Sequence, residues 1–217
     1  MIKSWRKFII SAAKKIFFGL IVVLGGALMF LPSAHAAVGC TLNDPDRDVK
    51  RLFPESTGYR TDFIVIKDVG GEELYRKIEQ ELGDKLDSIY ETIEVPYSFY
   101  DVLKGKELIG HIHGVNQKGT YGGMQLILAT DLEGRILNFF YQKMSSPEAS
   151  KFMDNNFTKQ FVGLTLEDFL KGNLSVGDPS KNSHDDFLAT LRGLKKNLIL
   201  LKELKFKKTL PLKRGAL

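Results

Sequence analysis

Hydrophobic and polar positions alternate through the middle of the chain, and this alternation predicts the strands of a β-sheet. The predicted strands cover residues 61–67, 92–103, 107–115, 124–130 and 135–143. The fourth is apolar on both faces, which predicts a central place in the sheet. Pro96 cannot donate a hydrogen bond to a neighbouring strand and is expected at an edge position or a bulge.

A repeat of three to four residues marks the predicted helices on either side of these strands. They are expected at residues 72–86, 147–153, 157–161, 165–170 and 183–204. In the last of them, Ser183 is the predicted N-terminal cap, with Asp186 three residues on. Gly193 costs this helix about 1 kcal/mol relative to Ala, so tertiary packing must hold it. The pattern predicts an α+β fold, an antiparallel meander flanked by helices in one domain over residues 61–206.

Residues 1–36 have the order of an export signal. Basic residues from Lys3 to Lys15 precede an apolar run over 16–31, and Pro32 and an A-x-A site ending at Ala36 follow. One alternative is a retained membrane anchor, although the run is slightly shorter than the about 20 residues of a span. A second alternative is lipid attachment at Cys40. Otherwise Cys40 is expected to be a free thiol in an extended arm over residues 37–60, able to form an intermolecular disulfide. That arm is expected to contain one helical turn near residues 48–52.

The net charge of +5 belongs entirely to residues 1–36, which carry no acidic residue. Residues 37–217 are neutral overall, which removes the main support for nucleic-acid binding. The remaining charge is polarised, because residues 187–217 carry a net +8 and residues 37–186 a net −8. The basic end, with its tail from residue 207, is expected to be either a solvated surface or a contact for anionic lipid or an acidic partner.

Five short segments resemble, in order, the motifs of the FMN-binding domain family. They are Lys104–Gly110 (KGKELIG), Gly119–Gly123 (GTYGG), Thr130–Ile136 (TDLEGRI), Ser145–Glu148 (SSPE) and Phe157–Gly163 (FTKQFVG). The family includes the peripheral flavin-carrying subunits of the sodium-pumping NADH:quinone reductase and of the Rnf complex. Together with the export signal, the resemblance implies a protein that is periplasmic or lies on the outer face of the cytoplasmic membrane. It would bind FMN non-covalently and transfer electrons with a membrane redox partner. The flavin supplies the chemistry in such a protein, so no side chain is assigned a catalytic role.

The resemblance also implies where a flavin would be held. Tyr121, Gly122 and Gly123 would let the backbone approach a flat ligand, with Tyr121 stacking on it; the alternative is a loop in which glycine supplies a positive φ. Ser145 and Ser146 would offer hydroxyl and N–H groups to an anion, or would only cap a short helix. Ser183 lies where the last helix would face the phosphate.

One departure from the family is informative. Members that carry FMN covalently have a [ST]-G-A-T motif at the start of the last helix, whereas residues 178–186 (DPSKNSHDD) contain no Gly-Ala-Thr. Covalent attachment is therefore not expected. Asp185 and Asp186 would also repel a phosphate at that helix start. An alternative function is therefore a flavin-free accessory or binding module of the same fold.

The strand at residues 107–115 offers two further features. His111 and His113 share one face and could bind a transition metal, although a core position is the expected role and no metal site is predicted. Gly110 and Gly114 on the other face allow close approach of a helix, which is favoured, or of a flat ring. The sequence has none of the motifs of hydrolases, P-loop proteins or Rossmann dinucleotide-binding proteins.

Overall fold

The computed structural model describes residues 40–88, 90–172 and 174–207. The predicted export segment, residues 1–36, lies outside these ranges. The first half contains α1 (Pro45–Leu52), β1 (Gly58–Val65), α2 (Ile66–Val69), α3 (Gly71–Leu82), β2 (Pro96–Lys104), β3 (Glu107–Lys118) and β4 (Gly123–Thr130). The second half contains β5 (Ile136–Met144), α4 (Ala149–Phe152), α5 (Asn155–Thr158), α6 (Leu166–Lys171) and α7 (His184–Leu200). Short 3₁₀ turns, Lys159–Phe161 and Lys181–Ser183, follow α5 and precede α7, and a π-helical segment, Leu201–Phe206, follows α7.

The five strands form one antiparallel sheet in the order β1-β2-β3-β4-β5. The α+β meander expected from the sequence is confirmed. β4 lies inside the sheet, as its apolar faces predict, but β3 takes the central place. Pro96 is the first residue of β2 and faces Val65. The pairing of β2 with β3 begins only at Phe99, so the missing N–H of Pro96 interrupts no ladder on that side.

Helix α3 ends earlier than the apolar spacing predicts. Gly83 takes a left-handed conformation with φ of 76°, and its N–H bonds to the carbonyls of Glu79 and Gln80. This is a common helix end because glycine adopts positive φ without steric cost. Leu86 is still buried, although it lies beyond the helix.

The N-terminal arm is more structured than expected. The predicted single turn is an eight-residue helix, α1, in which the Asp44 side chain accepts from the Arg47 N–H and Pro45 occupies the first helical position. The arm packs on one face of the sheet, where Cys40, Leu42, Val49, Leu52 and Phe53 form a buried cluster with residues of β2, β3 and β4. Cys40 is a free thiol, as expected, but it is only 4% exposed, so the expectation that it lies in an extended arm, open to an intermolecular disulfide, is wrong.

The glycines of β3 allow this close packing. A Cβ atom on Gly110 would lie 2.6 Å from the Phe53 ring, and one on Gly114 would lie 2.9 Å from Cys40 Sγ. The N-terminal arm therefore fills the space beside both glycines. The glycines of this face accommodate a packed protein segment and not a flat ligand.

Helix α7 covers the other face of the sheet and completes the larger core. Its buried side chains include Phe187, Leu194 and Leu198, as the predicted seam requires. A Cβ atom on Gly193 would lie 2.3 Å from Leu126 Cδ1, so the glycine is explained by the close approach of helix and sheet. Ser183 occupies the N-cap position of this helix, as predicted, but its side chain makes no capping hydrogen bond.

The basic residues of this helix and of the π-helical segment contact acidic residues from the rest of the chain. Arg192 pairs with Asp84, Lys196 with Glu91, Lys202 with Glu81, and Lys205 with Asp62 and Asp101. The charge polarity along the sequence is therefore largely neutralised inside the fold up to residue 207. No helix among the described residues is long and apolar enough to cross a bilayer.

Candidate functional site

A cleft of about 1200 Å³ opens at the end of the sheet where the β3–β4 loop meets the first turns of α7. The segment after α3 forms its third wall. Its lining residues are Asp84, Lys85, Asp87, Tyr90, Glu91, Asn116, Gln117, Lys118, Gly119, Thr120, Gly122, Gly123, Met124, Gln125, Lys143, Asp185, Leu188, Ala189, Arg192 and Lys196. Pockets of about 300 to 1000 Å³ hold drug-sized ligands, so this cleft is large enough for a cofactor.

The β3–β4 loop brings the predicted Gly122 and Gly123 to the cleft. The Gly119 N–H donates to the Gly122 carbonyl at 2.8 Å, which closes the loop. Gly122 has a φ of 138°, a conformation that side-chain-bearing residues rarely adopt. Tyr121 is at the tip of the loop with 55% of its surface exposed. The loop thus presents backbone and an aromatic ring to solvent beside the cleft.

The predicted serines lie near this loop but differ in exposure. Ser145 follows β5 directly behind the loop, where a Cβ atom on Gly122 would lie 2.9 Å from the Ser145 Cβ. Ser146 Oγ accepts from the Glu148 N–H at 3.3 Å, which is the local turn-capping role. Ser183 is buried at the start of α7. The structure therefore brings the loop and Ser145 together, while Ser146 caps its own turn and Ser183 is buried at the start of α7.

Asp186 ties the loop to α7. Its Oδ1 accepts from the Thr120 N–H at 2.8 Å, and the side chain is fully buried. Its Oδ2 is also buried and has no hydrogen-bond partner among the described residues. The backbone N–H that a bound anion could use at this point is therefore already taken by a carboxylate of the protein.

A buried ion pair forms part of the cleft wall and was not predicted from the sequence. Lys196 Nζ lies 2.5 Å from Glu91 Oε1 and 2.6 Å from the Asn116 carbonyl oxygen. Glu91 also accepts from the Asp87 N–H at 3.0 Å. Desolvation lowers the pKa of Lys196, and the charge of Glu91 opposes that shift. The two residues are 105 positions apart, and neither the sequence around Glu91 nor that around Lys196 contains a motif that indicates their pairing.

Cations on the cleft wall fall into two groups. Arg192 is held by Asp84 Oδ2 at 2.7 Å, by Gln117 Oε1 at 2.7 Å and by the Lys85 carbonyl at 2.6 Å. Lys118 and Lys143, by contrast, are exposed on the rim next to the glycine loop. A ligand anion would therefore meet Lys118 and Lys143 more readily than Arg192.

The two histidines of β3 are core residues with different partners. His111 Nδ1 lies 2.8 Å from Asp101 Oδ1, and His113 Nδ1 lies 2.8 Å from the Ser98 carbonyl oxygen, so this His113 nitrogen carries the proton. Burial lowers the pKa of His113 to about 4. Within the described ranges no group of three or more His, Cys, Asp or Glu side chains is arranged to hold a metal ion.

Comparison with protein-family models and with curated proteins finds no match to this chain.

Proposed function

We propose that the protein binds FMN non-covalently in the cleft beside the β3–β4 loop and serves as an electron-transfer component of a membrane-associated redox system. The ordered motifs that resemble the FMN-binding domain family support this proposal. The observation that carries it is the position of Gly122 and Gly123, the central pair of those motifs, on the wall of a cofactor-sized cleft. When bound, the isoalloxazine accepts and donates one or two electrons.

The residues present fit a flavin ring better than they fit the usual place of its phosphate. At Gly123, no described atom beyond the neighbouring residues lies within 4 Å of where a Cβ atom would be, which leaves room for a flat ring against the backbone, and exposed Tyr121 is within the same loop. The start of α7 is unsuited to phosphate, because Asp186 already accepts the Thr120 N–H and Asp185 adds a second negative charge. Lys118 and Lys143 on the rim are therefore proposed to bind the phosphate, since a charged contact there needs no displacement of protein carboxylates.

A second candidate function is a flavin-free accessory or binding module of the same fold. The contact between Asp186 and Thr120 favours it, because a protein carboxylate occupies the N–H group that a phosphate would otherwise use. In both cases we propose export, with residues 1–36 as the signal. Mass spectrometry of the N-terminus would then find Ala37 as the first residue. A start at Met1 would instead indicate a retained anchor, and a modified Cys40 would indicate lipid attachment.

The visible spectrum of the purified protein tests the proposed cofactor. The protein is purified from flavin-rich cells that express the full chain, and its spectrum is recorded before and after acid precipitation. Yellow colour released into the supernatant is expected for non-covalent FMN. A colourless protein that also fails to bind added FMN would overturn the proposal in favour of the flavin-free module.

Titration with FMN tests the proposed phosphate contact. The Lys118→Ala and Lys143→Ala variants are expected to bind FMN about 10-fold more weakly each, because a hydrogen bond to a charged group contributes about 1.5 kcal/mol or more. Lys106→Ala is the matched control, an exposed lysine in the turn at the other end of β3. Riboflavin, which lacks the phosphate, should bind wild type and variants equally. Equal FMN affinity in all four proteins would place the phosphate elsewhere.

A further inference from the structure

Strand β1 is an edge of the sheet with both of its faces accessible to solvent. It pairs with β2 on one side, and no strand among the described residues pairs with its other side. From Gly58 to Phe63 five of the six residues are exposed, and Phe63 is 63% exposed. An exposed edge of this kind can be extended by another strand, and natural proteins usually protect such edges.

The side chains of β1 alternate between the two faces of the sheet. Ile64 belongs to the core beneath α7, and Asp62 contacts Lys205 of the π-helical segment, so the even-numbered positions face α7. Tyr59 packs edge-on against Tyr100 in the cluster of the N-terminal arm, so the odd-numbered positions face the arm. Arg60 and Asp62 therefore lie side by side on one face, and Tyr59 and Phe63 lie on the other.

A second copy of β1 can pair with the first in an antiparallel manner about a two-fold axis perpendicular to the sheet. Such an axis places the same face of both strands on the same side of the sheet, so it must lie midway between the two copies of one residue, which then face each other. With the axis at Thr61, Arg60 of each copy lies opposite Asp62 of the other, which gives two pairs of opposite charge. On the other face, Tyr59 of each copy lies opposite Phe63 of the other.

Neighbouring registers are unfavourable. An axis at Arg60 would place the two guanidinium groups directly opposite each other, and an axis at Asp62 would do the same with the two carboxylates. Like charges directly opposite each other destabilise a strand pair, whereas opposite charges and aromatic pairs stabilise it by about 0.2 to 1 kcal/mol each. Of these three registers, the strand sequence therefore favours the one with the axis at Thr61.

The side chains that would make these contacts are available at the surface. The Arg60 side chain is 66% exposed, and its only ion-pair contact among the described residues is a long one, 3.7 Å from Nη2 to Asp101 Oδ2. The Asp62 side chain is 52% exposed, although Lys205 contacts one of its oxygens. Both groups can therefore reach a second copy without any rearrangement of the core.

We propose that β1 is a homodimerisation edge, at which two copies of this chain form a continuous ten-stranded sheet with the two-fold axis at Thr61. The proposal does not depend on flavin binding. The contact of two single strands is small compared with the about 1,600 Å² of a standard stable interface, so the dimer is expected to form reversibly with concentration.

Sedimentation velocity between about 1 µM and 1 mM tests the dimer on protein purified from cells that express the full chain, since this range covers weak association. The wild-type protein should shift from monomer to dimer as its concentration rises. Arg60→Glu places a second carboxylate opposite Asp62 and should remain monomeric, as should Asp62→Lys, which places two cations opposite each other. Arg60→Lys, which keeps the charge, is the matched control and should still dimerise.

Mixing the two defective variants tests the register itself. In a mixed dimer, the Arg60→Glu chain meets the Asp62→Lys chain with opposite charges at both positions, so the equimolar mixture should dimerise although neither variant does so alone. Circular dichroism of each variant establishes that it is folded. A wild-type protein that stays monomeric at all concentrations would overturn the proposal, whether the edge is free or is covered by residues outside the described ranges. A mixture that remains monomeric would overturn the register.

Discussion

Removing one partner of the buried pair between Lys196 and Glu91 is expected to cost far more stability than removing both charges. The Lys196 side chain is 1% exposed and the Glu91 side chain 4% exposed. Lys196→Met would leave the buried Glu91 carboxylate without its cation, and Glu91→Gln would leave the buried Lys196 ammonium with only neutral oxygens at Asn116 and at the new amide. An uncompensated buried charge costs about 3 to 5 kcal/mol, which is the loss expected for each single variant.

The double variant Lys196→Met with Glu91→Gln contains neither buried charge. Its loss of unfolding free energy should therefore fall at least about 2 kcal/mol below the sum of the two single losses, since contacting residues of one network are not additive. Urea denaturation measures the free energy of unfolding of the four proteins in this cycle. The values can be compared if the dependence of that free energy on urea concentration is the same in all four. Lys67→Met is the matched control, because Lys67 and Glu94 are both 60% exposed and 3.6 Å apart, a surface pair that contributes less than about 1 kcal/mol.

Two results would refute this reasoning. Additive losses in the cycle would mean that the two charges do not depend on each other in the folded protein. A Lys196→Met variant as stable as Lys67→Met would mean that the site is hydrated and that the carboxylate keeps its solvation. Both outcomes would also change the account of the cleft, since the pair forms part of its wall.

Three further predictions concern buried groups elsewhere in the fold. Burial lowers the pKa of His113 to about 4 in the folded protein, whereas its pKa in the unfolded chain is about 6.5. Lowering the pH from 7 to 5 should therefore reduce the free energy of unfolding by about 2 kcal/mol through this group. Chemical denaturation at the two pH values should show a smaller reduction for His113→Phe than for the wild-type protein. Burial raises the pKa of Cys40 to about 12, so iodoacetamide at pH 8 should modify it in urea but not in the native protein, and rapid native modification would contradict the buried position. Gly110→Ala would put a Cβ 2.5 Å from the Thr130 carbonyl oxygen and 2.6 Å from the Phe53 ring, so it should destabilise the fold by about 1 to 3 kcal/mol and increase proteolysis of the arm; unchanged stability and proteolysis would show that the arm can shift.

The sheet could be predicted from the sequence because alternation reports directly which face of each strand is buried. All five strands and the long last helix lie within a few residues of their predicted positions. The helical arm was underestimated, although Asp44 and Pro45 are a recognisable cap and first position. Periodicity does not detect α1 because few of its residues are apolar, and its packing depends on the glycines of β3.

The candidate site was only partly predictable. The glycine loop could be identified because its motif is local in sequence. The function of Asp186 could not be, since its contact with the Thr120 N–H competes with helix capping and depends on how α7 lies against the loop. The same holds for Lys196 and Glu91, whose pairing requires the tertiary fold to bring distant segments together.

The position of α7 at the C-terminal end of the described chain has a consequence for synthesis. The sheet can form its strand pairs as the chain emerges, but the face beneath α7 remains without its cover until the last helix is complete. A chain that stops at Asp186 would present this apolar face to solvent, and residues 37–186 would keep their net charge of −8 without the basic partners that neutralise it. Premature termination is therefore expected to yield an aggregating product and not a smaller stable domain. The preceding strands and helices thus depend on α7 for a stable, soluble fold.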